Sequence, residues 1–169
     1  MLADDALVIG FGGNVGGEVA IIERFSRART AFAELGDVKS AALYRTAPIG
    51  PVQPAFMNTA VRVRWRDAIA SEVIATVLEI ERLLGRDRHR EARWGPRTID
   101  LDVLMWGTRV IRTPELELPH SRLHERRFAL RPLADLVGED TLLPGTTETL
   151  AALLQRASAQ GLEEVQSAW

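Results

Sequence analysis

Ile99-Asp100-Leu101-Asp102-Val103-Leu104-Met105-Trp106 is the stretch on which the reading of this 169-residue chain turns. Ile99, Leu101, Val103 and Met105 alternate with Asp100 and Asp102, the period-two pattern of a strand with one apolar face and one polar face. Upstream, residues 70–84 place Val73, Val77, Ile80 and Leu84 on one stripe, with Ile69 leading into it. That spacing predicts an amphipathic helix, with Asp67 placed to cap it and Gly85 to end it. Before that helix, residues 56–65 predict a strand: Met57, Val61, Val63 and Trp65 are apolar and Arg62, Arg64 and Arg66 face away. Residues 47–54 hold three prolines and a glycine and read as a loop, while 38–46 reads as a further strand. From Glu18 the spacing of Ile22, Phe25, Phe32 and Leu35 predicts a helix stopped by Gly36, and residues 6–12 read as a buried strand ending in glycines.

Taken in order, residues 6–106 spell strand–helix–strand–strand–helix–strand. The expected fold is therefore α+β, with a ferredoxin-like βαββαβ core in which helices pack on one face of an antiparallel sheet. Residues 107–169 are expected as C-terminal additions, with a helical turn at 126–130 and a last helix at 147–159. The length fits one domain spanning 1–169. That fold hosts many activities, so function has to be read from the residues it carries.

Asp100 and Asp102 are two apart on a strand and so point to one face, where two carboxylates can hold divalent cations for attack at phosphorus. A solvated acidic strand edge is the alternative. The preceding segment weighs against it: Arg82, Arg86, Arg88, Arg90, Arg93 and Arg97 are offset only by Asp87 and Glu91, with Trp94 and Gly95-Pro96 among them. Arginines beside a carboxylate pair suit a polyphosphate, the acids holding Mg²⁺ and the guanidiniums clamping phosphate oxygens. A solvated basic loop, one able to contact RNA, stays open as the other reading. His120 and Arg126 can reach a phosphate chain, although a histidine and arginines in a loop are also common surface residues. Phe56 and Asn58 share a strand face, a pairing suited to stacking on a flat heteroaromatic ring and bonding its edge. The alternative is a core aromatic beside a strand-end amide.

Composition narrows the field. The chain has no cysteine, which excludes disulfides, thiolate metal sites and a cysteine nucleophile. With 21 basic and 23 acidic residues the formal net charge is −2, and no long basic stripe predicts a nucleic-acid partner. Twenty of the basic residues are arginine and only Lys39 is lysine, which favours planar, bidentate anion recognition. No apolar run approaches the length of a membrane span, and Met1 to Asp5 do not resemble a leader. A cytoplasmic protein is expected. A polymerase-palm-like nucleotidyltransferase or a non-enzymatic RNA- or regulator-binding sheet module are the rival readings of this pattern.

Several blocks, in order, resemble the 6-hydroxymethyl-7,8-dihydropterin pyrophosphokinase family. They are Gly12-Gly13-Asn14, Leu43-Tyr44-Arg45-Thr46, the run from Gln53 to Asn58, Gly85-Arg86-Asp87-Arg88, the ten residues from Arg93 to Asp102, Pro119-His120, and Arg126 with Phe128. The resemblance implies transfer of pyrophosphate from ATP to the pterin hydroxymethyl group with release of AMP. It implies that Asp100 and Asp102 hold two Mg²⁺ ions and that Arg86 and Arg97 stabilise charge on the triphosphate. Glu81, Arg88, Trp94, His120, Ser121 and Arg126 would serve the nucleotide. Phe56 and Phe128 would sandwich the pterin, with Asn58 on its edge and Thr46 and Ile49 offering backbone groups. It also implies small-molecule partners only and a monomer. The chain departs from the family pattern at Gly13, Ser121, Glu115 and Glu117, and its 86–93 loop looks one residue longer than in some members.

Overall fold

Alternation along strand β1 (Ala6–Gly13) sorts the molecule into two layers of core. Leu7, Ile9 and Phe11 enter one hydrophobic cluster, and Val8 enters the other. The computed structural model describes residues 5–48, 50–157 and 161–169. After β1 come helix α1 (Gly17–Ala33), strands β2 (Asp37–Ser40), β3 (Leu43–Thr46) and β4 (Phe56–Arg64), helix α2 (Ala70–Leu83) and strand β5 (Asp100–Trp106). The C-terminal part adds a two-stranded ribbon of β6 (Ile111–Arg112) and β7 (Glu117–Leu118) and a 3₁₀ turn at Leu123–Glu125. Helices α3 (Arg127–Val137) and α4 (Leu150–Arg156) and strand β8 (Leu162–Gln166) follow.

The main sheet runs β5-β1-β4-β3-β8, with β2 pairing β4 beside β3, and every pairing is antiparallel. This is the ferredoxin-like order. Phe25, Ala28 and Phe32 of α1 and Val73, Val77 and Ile80 of α2 cover the face that carries Phe11, Val61 and Leu101. On the opposite face Val8, Ala60 and Leu104 pack against Leu130 and Leu133 of α3 and Leu153 of α4. The C-terminal additions thus cover a second face of the sheet, which is why β4 is buried through Asn58, Thr59 and Ala60 instead of alternating. Trp169 closes the first core at the chain's last residue: its ring lies 6.2 Å from Phe11 and 6.0 Å from Phe25. Its indole N–H donates to the Ala41 carbonyl at 3.0 Å.

Several local expectations are corrected. The 38–46 strand is two strands, broken at Ala41-Ala42, where Thr59 Oγ1 donates to the Ala42 carbonyl at 2.9 Å. Asp67 does not cap α2; it takes a left-handed turn conformation at φ 56°, and Ile69 occupies the cap position. The register of β1 against β5 shifts by one residue between Val8 and Ile9, so Met105 joins Leu104 in the second core, not Leu101 and Val103 in the first. The helical turn at 126–130 extends into α3 through Pro132, a residue that reads as a breaker. The last helix is α4, begun by Thr149, whose Oγ1 accepts from the Ala152 amide at 3.2 Å; Ser158 and Ala159 lie outside the described residues. Strand β8, two of whose five residues are acidic, lies where the sequence predicts no element. Among the described residues no helix is long and apolar enough to cross a membrane.

Gly36 is not the stop of α1, which ends at Ala33. A Cβ on Gly36 would lie 2.1 Å from the Arg64 carbonyl oxygen, so the glycine permits close backbone approach where β4 ends. Gly36→Ala is therefore expected to cost at least about 2 kcal/mol of stability by forcing β4 and the α1–β2 turn apart. Urea denaturation checks this, and a midpoint equal to that of the wild type would refute it.

Candidate active site

The register of the sheet builds the site in a row. Asp100 of β5 stands opposite Gly12 of β1, Gly12 opposite Asn58 of β4, and Asn58 opposite Tyr44 of β3. Two residues along, Asp102 stands opposite Gly10. The two glycines leave this part of β1 without side chains. A Cβ at Gly12 would come within 3.1 Å of Asn58 Oδ1, and one at Gly10 within 3.1 Å of Leu104. The result is a cleft of about 370 Å³ with Asp100 on one wall and Thr46, Phe56 and Asn58 on the other. Phe128, at the start of α3, faces it as well, with Arg126, and Trp94 and Arg97 come from the loop before β5.

Asn58 and Thr46 are both buried, and Asn58 Nδ2 donates to Thr46 Oγ1 at 2.6 Å. Phe56 lines the cleft while Met57 points into the core, as their alternation predicts. On the acidic side, Arg126 Nη1 lies 3.2 Å from Asp102 Oδ2, and His120 Nε2 lies 4.0 Å from the same oxygen. Desolvation raises the Asp102 carboxyl to about 6, the neighbouring Asp100 charge adds to the rise, and Arg126 and Arg86 oppose it. Desolvation likewise lowers His120, with the Arg126 charge acting in the same direction.

Arg86 is buried among three carboxylates. Its Nη1 lies 2.5 Å from Glu81 Oε1 and also bonds Asp100 Oδ1, and its Nε lies 3.0 Å from Glu91 Oε2. Burial alone would lower its pKa, but the charges of Asp100 and Glu81 outweigh that and hold the guanidinium ionised. Glu81 also pairs with Arg88 at 2.7 Å and accepts the Leu101 amide at 2.8 Å. Ser121 is exposed and is not among the residues lining the cleft, and Ile49 lies outside the described residues. Thr46, Phe56, Asn58, Trp94, Arg97, Asp100, Arg126 and Phe128 line the cleft; Glu81, Arg86, Arg88, Asp102 and His120 do not, and connect to it through the ion pairs of Arg86 with Asp100 and of Arg126 with Asp102.

Asn14 carries more than its motif suggests. Its backbone amide donates to the Arg97 carbonyl at 2.9 Å and its Oδ1 accepts the Arg97 amide at 2.8 Å. Its Nδ2 donates to Gln53 Oε1 and to the Pro54 carbonyl, each at 3.0 Å. Gln53 Nε2 in turn donates to the Trp94 carbonyl at 2.9 Å. One buried carboxamide therefore joins the glycine turn, the 47–55 loop and the arginine loop. The asparagine's place in a turn marks it as conspicuous, but only tertiary structure shows its partners. Glu91 was likewise read only as an offset to the arginines, and Arg122, which lies over the Trp94 ring at 5.1 Å, was not read at all.

Among the described residues no three His, Asp or Glu side chains converge at ligand spacing. Asp100, which lines the cleft and bonds Arg86, and Asp102, which pairs with Arg126, lie two residues apart on β5 as a two-carboxylate set. Such a set fits a hard cation whose remaining positions go to water and phosphate oxygens.

Fold and cleft define a class: a ferredoxin-like domain with an acid pair set against an arginine-rich loop. A family model described as 7,8-dihydro-6-hydroxymethylpterin-pyrophosphokinase (HPPK) matches residues 8–138. A 2-amino-4-hydroxy-6-hydroxymethyldihydropteridine pyrophosphokinase of Methylorubrum extorquens is 35% identical over 159 residues, covering 94% of this chain and 97% of the relative. The Bacillus subtilis protein of the same name is 36% identical over 129 residues, covering 76% and 75%. The one from Synechocystis is 32% identical over 152 residues, covering 88% and 74%. The solved wild-type HPPK-DHPS of Plasmodium falciparum superposes with a TM-score of 0.65 at 14% identity. It covers 89% of this chain, which spans only 40% of that longer one, so the likeness speaks for the fold. The chain belongs to the 7,8-dihydro-6-hydroxymethylpterin-pyrophosphokinase family. It is an ATP-dependent diphosphotransferase of folate biosynthesis.

Asn14→Ala is expected to remove the tie between the three loops while leaving the sheet in place, at a cost of about 1–3 kcal/mol for the unpaired amide groups. Hydrogen exchange reads it directly. The Arg97 amide should lose protection while β1 and β4 amides keep theirs, and an Arg97 amide as protected as in the wild type would refute the tie.

Proposed function

We propose that this chain transfers pyrophosphate from ATP to the hydroxymethyl oxygen of 6-hydroxymethyl-7,8-dihydropterin, with Asp100 and Asp102 holding two Mg²⁺ ions. The pterin hydroxyl oxygen attacks the β-phosphorus in line and gives up its proton to solvent, the bond from that phosphorus to the α-phosphate bridging oxygen breaks, and AMP leaves. The observation that carries this reading is the cleft in which Asp100 stands across Gly12 from Asn58, with Phe56 and Thr46 on the same wall, and Asp102 two residues along the strand opposite Gly10. Bound cations would neutralise the phosphate oxygens and help align the attacking and leaving groups.

The chain's own groups divide the remaining work. Arg86 and Arg97 meet charge that grows on the triphosphate, and His120 and Arg126 bind phosphate oxygens beside Asp102. Glu81 and Arg88 form the nucleotide side, with Ser121 at its rim. Trp94, held by the Gln53 bond to its carbonyl, keeps the arginine loop over the cleft and excludes water, which would otherwise take the pyrophosphate. Phe56 and Phe128 stack on the pterin ring, Asn58 bonds its edge, and a backbone group of Thr46 adds to the contact. We assign the whole of 1–169 to one such domain, acting as a cytoplasmic monomer on these small molecules without nucleic acid or membrane.

Product analysis with ATP, Mg²⁺ and the pterin tests the reaction. AMP should appear only when the pterin is present, and ADP in its place would overturn the assignment. Asp100→Ala and Asp102→Ala should each lower kcat by roughly a hundredfold or more with the fold intact by circular dichroism. Wild-type turnover in either variant would sink the metal role.

The acid pair also sets a pH dependence. Asp102 must be ionised to take a cation, and its carboxyl is held up to about 6, so Mg²⁺-dependent binding of an ATP analogue should weaken as pH falls through that value. In the metal-free protein, Asp100→Asn removes a charge that raises Asp102, so the Asp102 midpoint followed by carboxyl-carbon NMR should move down. A midpoint that stays or rises would contradict the coupling.

A further inference from the structure

Glu91 sits on the arginine loop itself, between the two guanidiniums that the proposed reaction needs for phosphate. Its Oε2 is 3.0 Å from Arg86 Nε and 3.5 Å from Arg97 Nε. The three side chains are little exposed, at 13% for Glu91, 7% for Arg86 and 19% for Arg97, so solvent screens these pairs only weakly. Arg97 Nη1 is also taken by its own loop, donating to the Ala92 carbonyl at 2.9 Å. Nothing about Glu91 is needed to hold the sheet or the wall formed by Thr46 and Asn58.

We propose that Glu91 is a built-in stand-in for an ATP phosphate, occupying Arg86 and Arg97 in the empty enzyme until the triphosphate displaces it. The inference rests on the reading of the cleft as an ATP site. A carboxylate presents two oxygens to a guanidinium much as a phosphate does, and it satisfies the same donors. Without it, Arg86 would lose one of its three carboxylates and Arg97 the carboxylate the two share. With it, the region balances: Glu81, Glu91, Asp100 and Asp102 stand against Arg86, Arg88, Arg97 and Arg126. The nucleotide then binds by exchange of ion partners, and its affinity is lowered by whatever Glu91 contributes to the empty state. Glu91 is thus a positioning residue, acting on substrate only through the two arginines.

The test is equilibrium binding by calorimetry of the Mg²⁺ complex of α,β-methylene-ATP, which the enzyme cannot split, to wild type and to Glu91→Gln. Glutamine keeps the shape and one acceptor but not the charge. Glu91→Gln should tighten the analogue by roughly three- to tenfold and leave pterin affinity unchanged. Asp87→Asn is the charge control, because Asp87 lies on the same loop but pairs with Arg90 at 3.3 Å, away from the two arginines. It should tighten the analogue less than twofold.

An unchanged or weaker analogue affinity in Glu91→Gln overturns the stand-in, as does equal tightening in both variants, which would reduce the effect to net charge. Tightening of pterin as well would also overturn it, pointing to loop ordering. If Glu91→Gln proves unstable, Glu91→Asp, with its shorter reach, should tighten the analogue in the same direction, and weakening there counts against the proposal. A wild type that fails to bind the analogue at all would instead remove the ATP reading of the cleft, a separate failure.

Discussion

Glu81 is a carboxylate with a side chain only 2% exposed, placed between helix α2 and the outer edge of the sheet. Strand β5 is an edge strand, with β1 on one side and, among the described residues, no strand on the other, so amides on its free side need partners from elsewhere. Glu81 takes the Leu101 amide at 2.8 Å, and Leu101 is the residue between Asp100 and Asp102. The same carboxylate receives Arg86 and Arg88. Burial raises its pKa, while the amide and the two guanidiniums favour the ionised form. Remove that anion and Arg86 loses a partner, β5 loses an anchor, and the acid pair loses the backbone that aims it.

The second constraint is emptiness. β1 presents Leu7, Ile9 and Phe11 to the core under α1 and α2, but Gly10 and Gly12 to the face on which the acids lie. α3 and α4 cover that face only toward the far end of the sheet, where Val8, Ala60 and Leu104 pack against them. Near Gly12 the cover stops, and α3 presents its first turn, with Arg126 and Phe128, to the opening. The C-terminal additions therefore complete one core and frame the cleft at once. A single helix does both because Leu130, Leu133 and Ala134 lie along its length while Arg126, at its cap, and Phe128 lie at its start.

What could be read from residues alone followed from local periodicity. The acid pair was legible because period two holds from Asp100 to Val103, and Phe56 with Asn58 because the same period holds across Met57. It failed where tertiary pairing overrides the local pattern. Met105 is apolar whichever face it takes, so only the slipped register of β1 against β5 places it in the second core. Strand β8 has two acidic residues in five and acquires its conformation from pairing with β3, a partner more than a hundred residues away. Pro132 hid the length of α3, since the missing amide costs a bond that burial of Leu130 and Leu133 repays. Asn14 and Glu91 were visible as residues, yet their meaning lies in contacts with Arg97, Gln53 and Arg86 that no spacing rule encodes.

Those contacts also explain why so many charges can share so little space. A buried guanidinium or carboxylate is tolerated only when it is paired and hydrogen-bonded, and removing one partner leaves the other uncompensated. Around Arg86 the carboxylates are shared: Glu81 with Arg88 and Glu91 with Arg97, while Asp100 lies on the same strand as Asp102, which pairs with Arg126. Such a set has no spare charge with which to greet a highly anionic substrate, so binding one must rearrange the pairs already made. The arginine loop is suited to that exchange because it brings its own counter-ion and is fastened by the small number of neutral bonds at Asn14 and Gln53. Neutral hydrogen bonds hold the loop's path while the ion pairs change partners, which separates the question of where the loop sits from that of what its arginines hold.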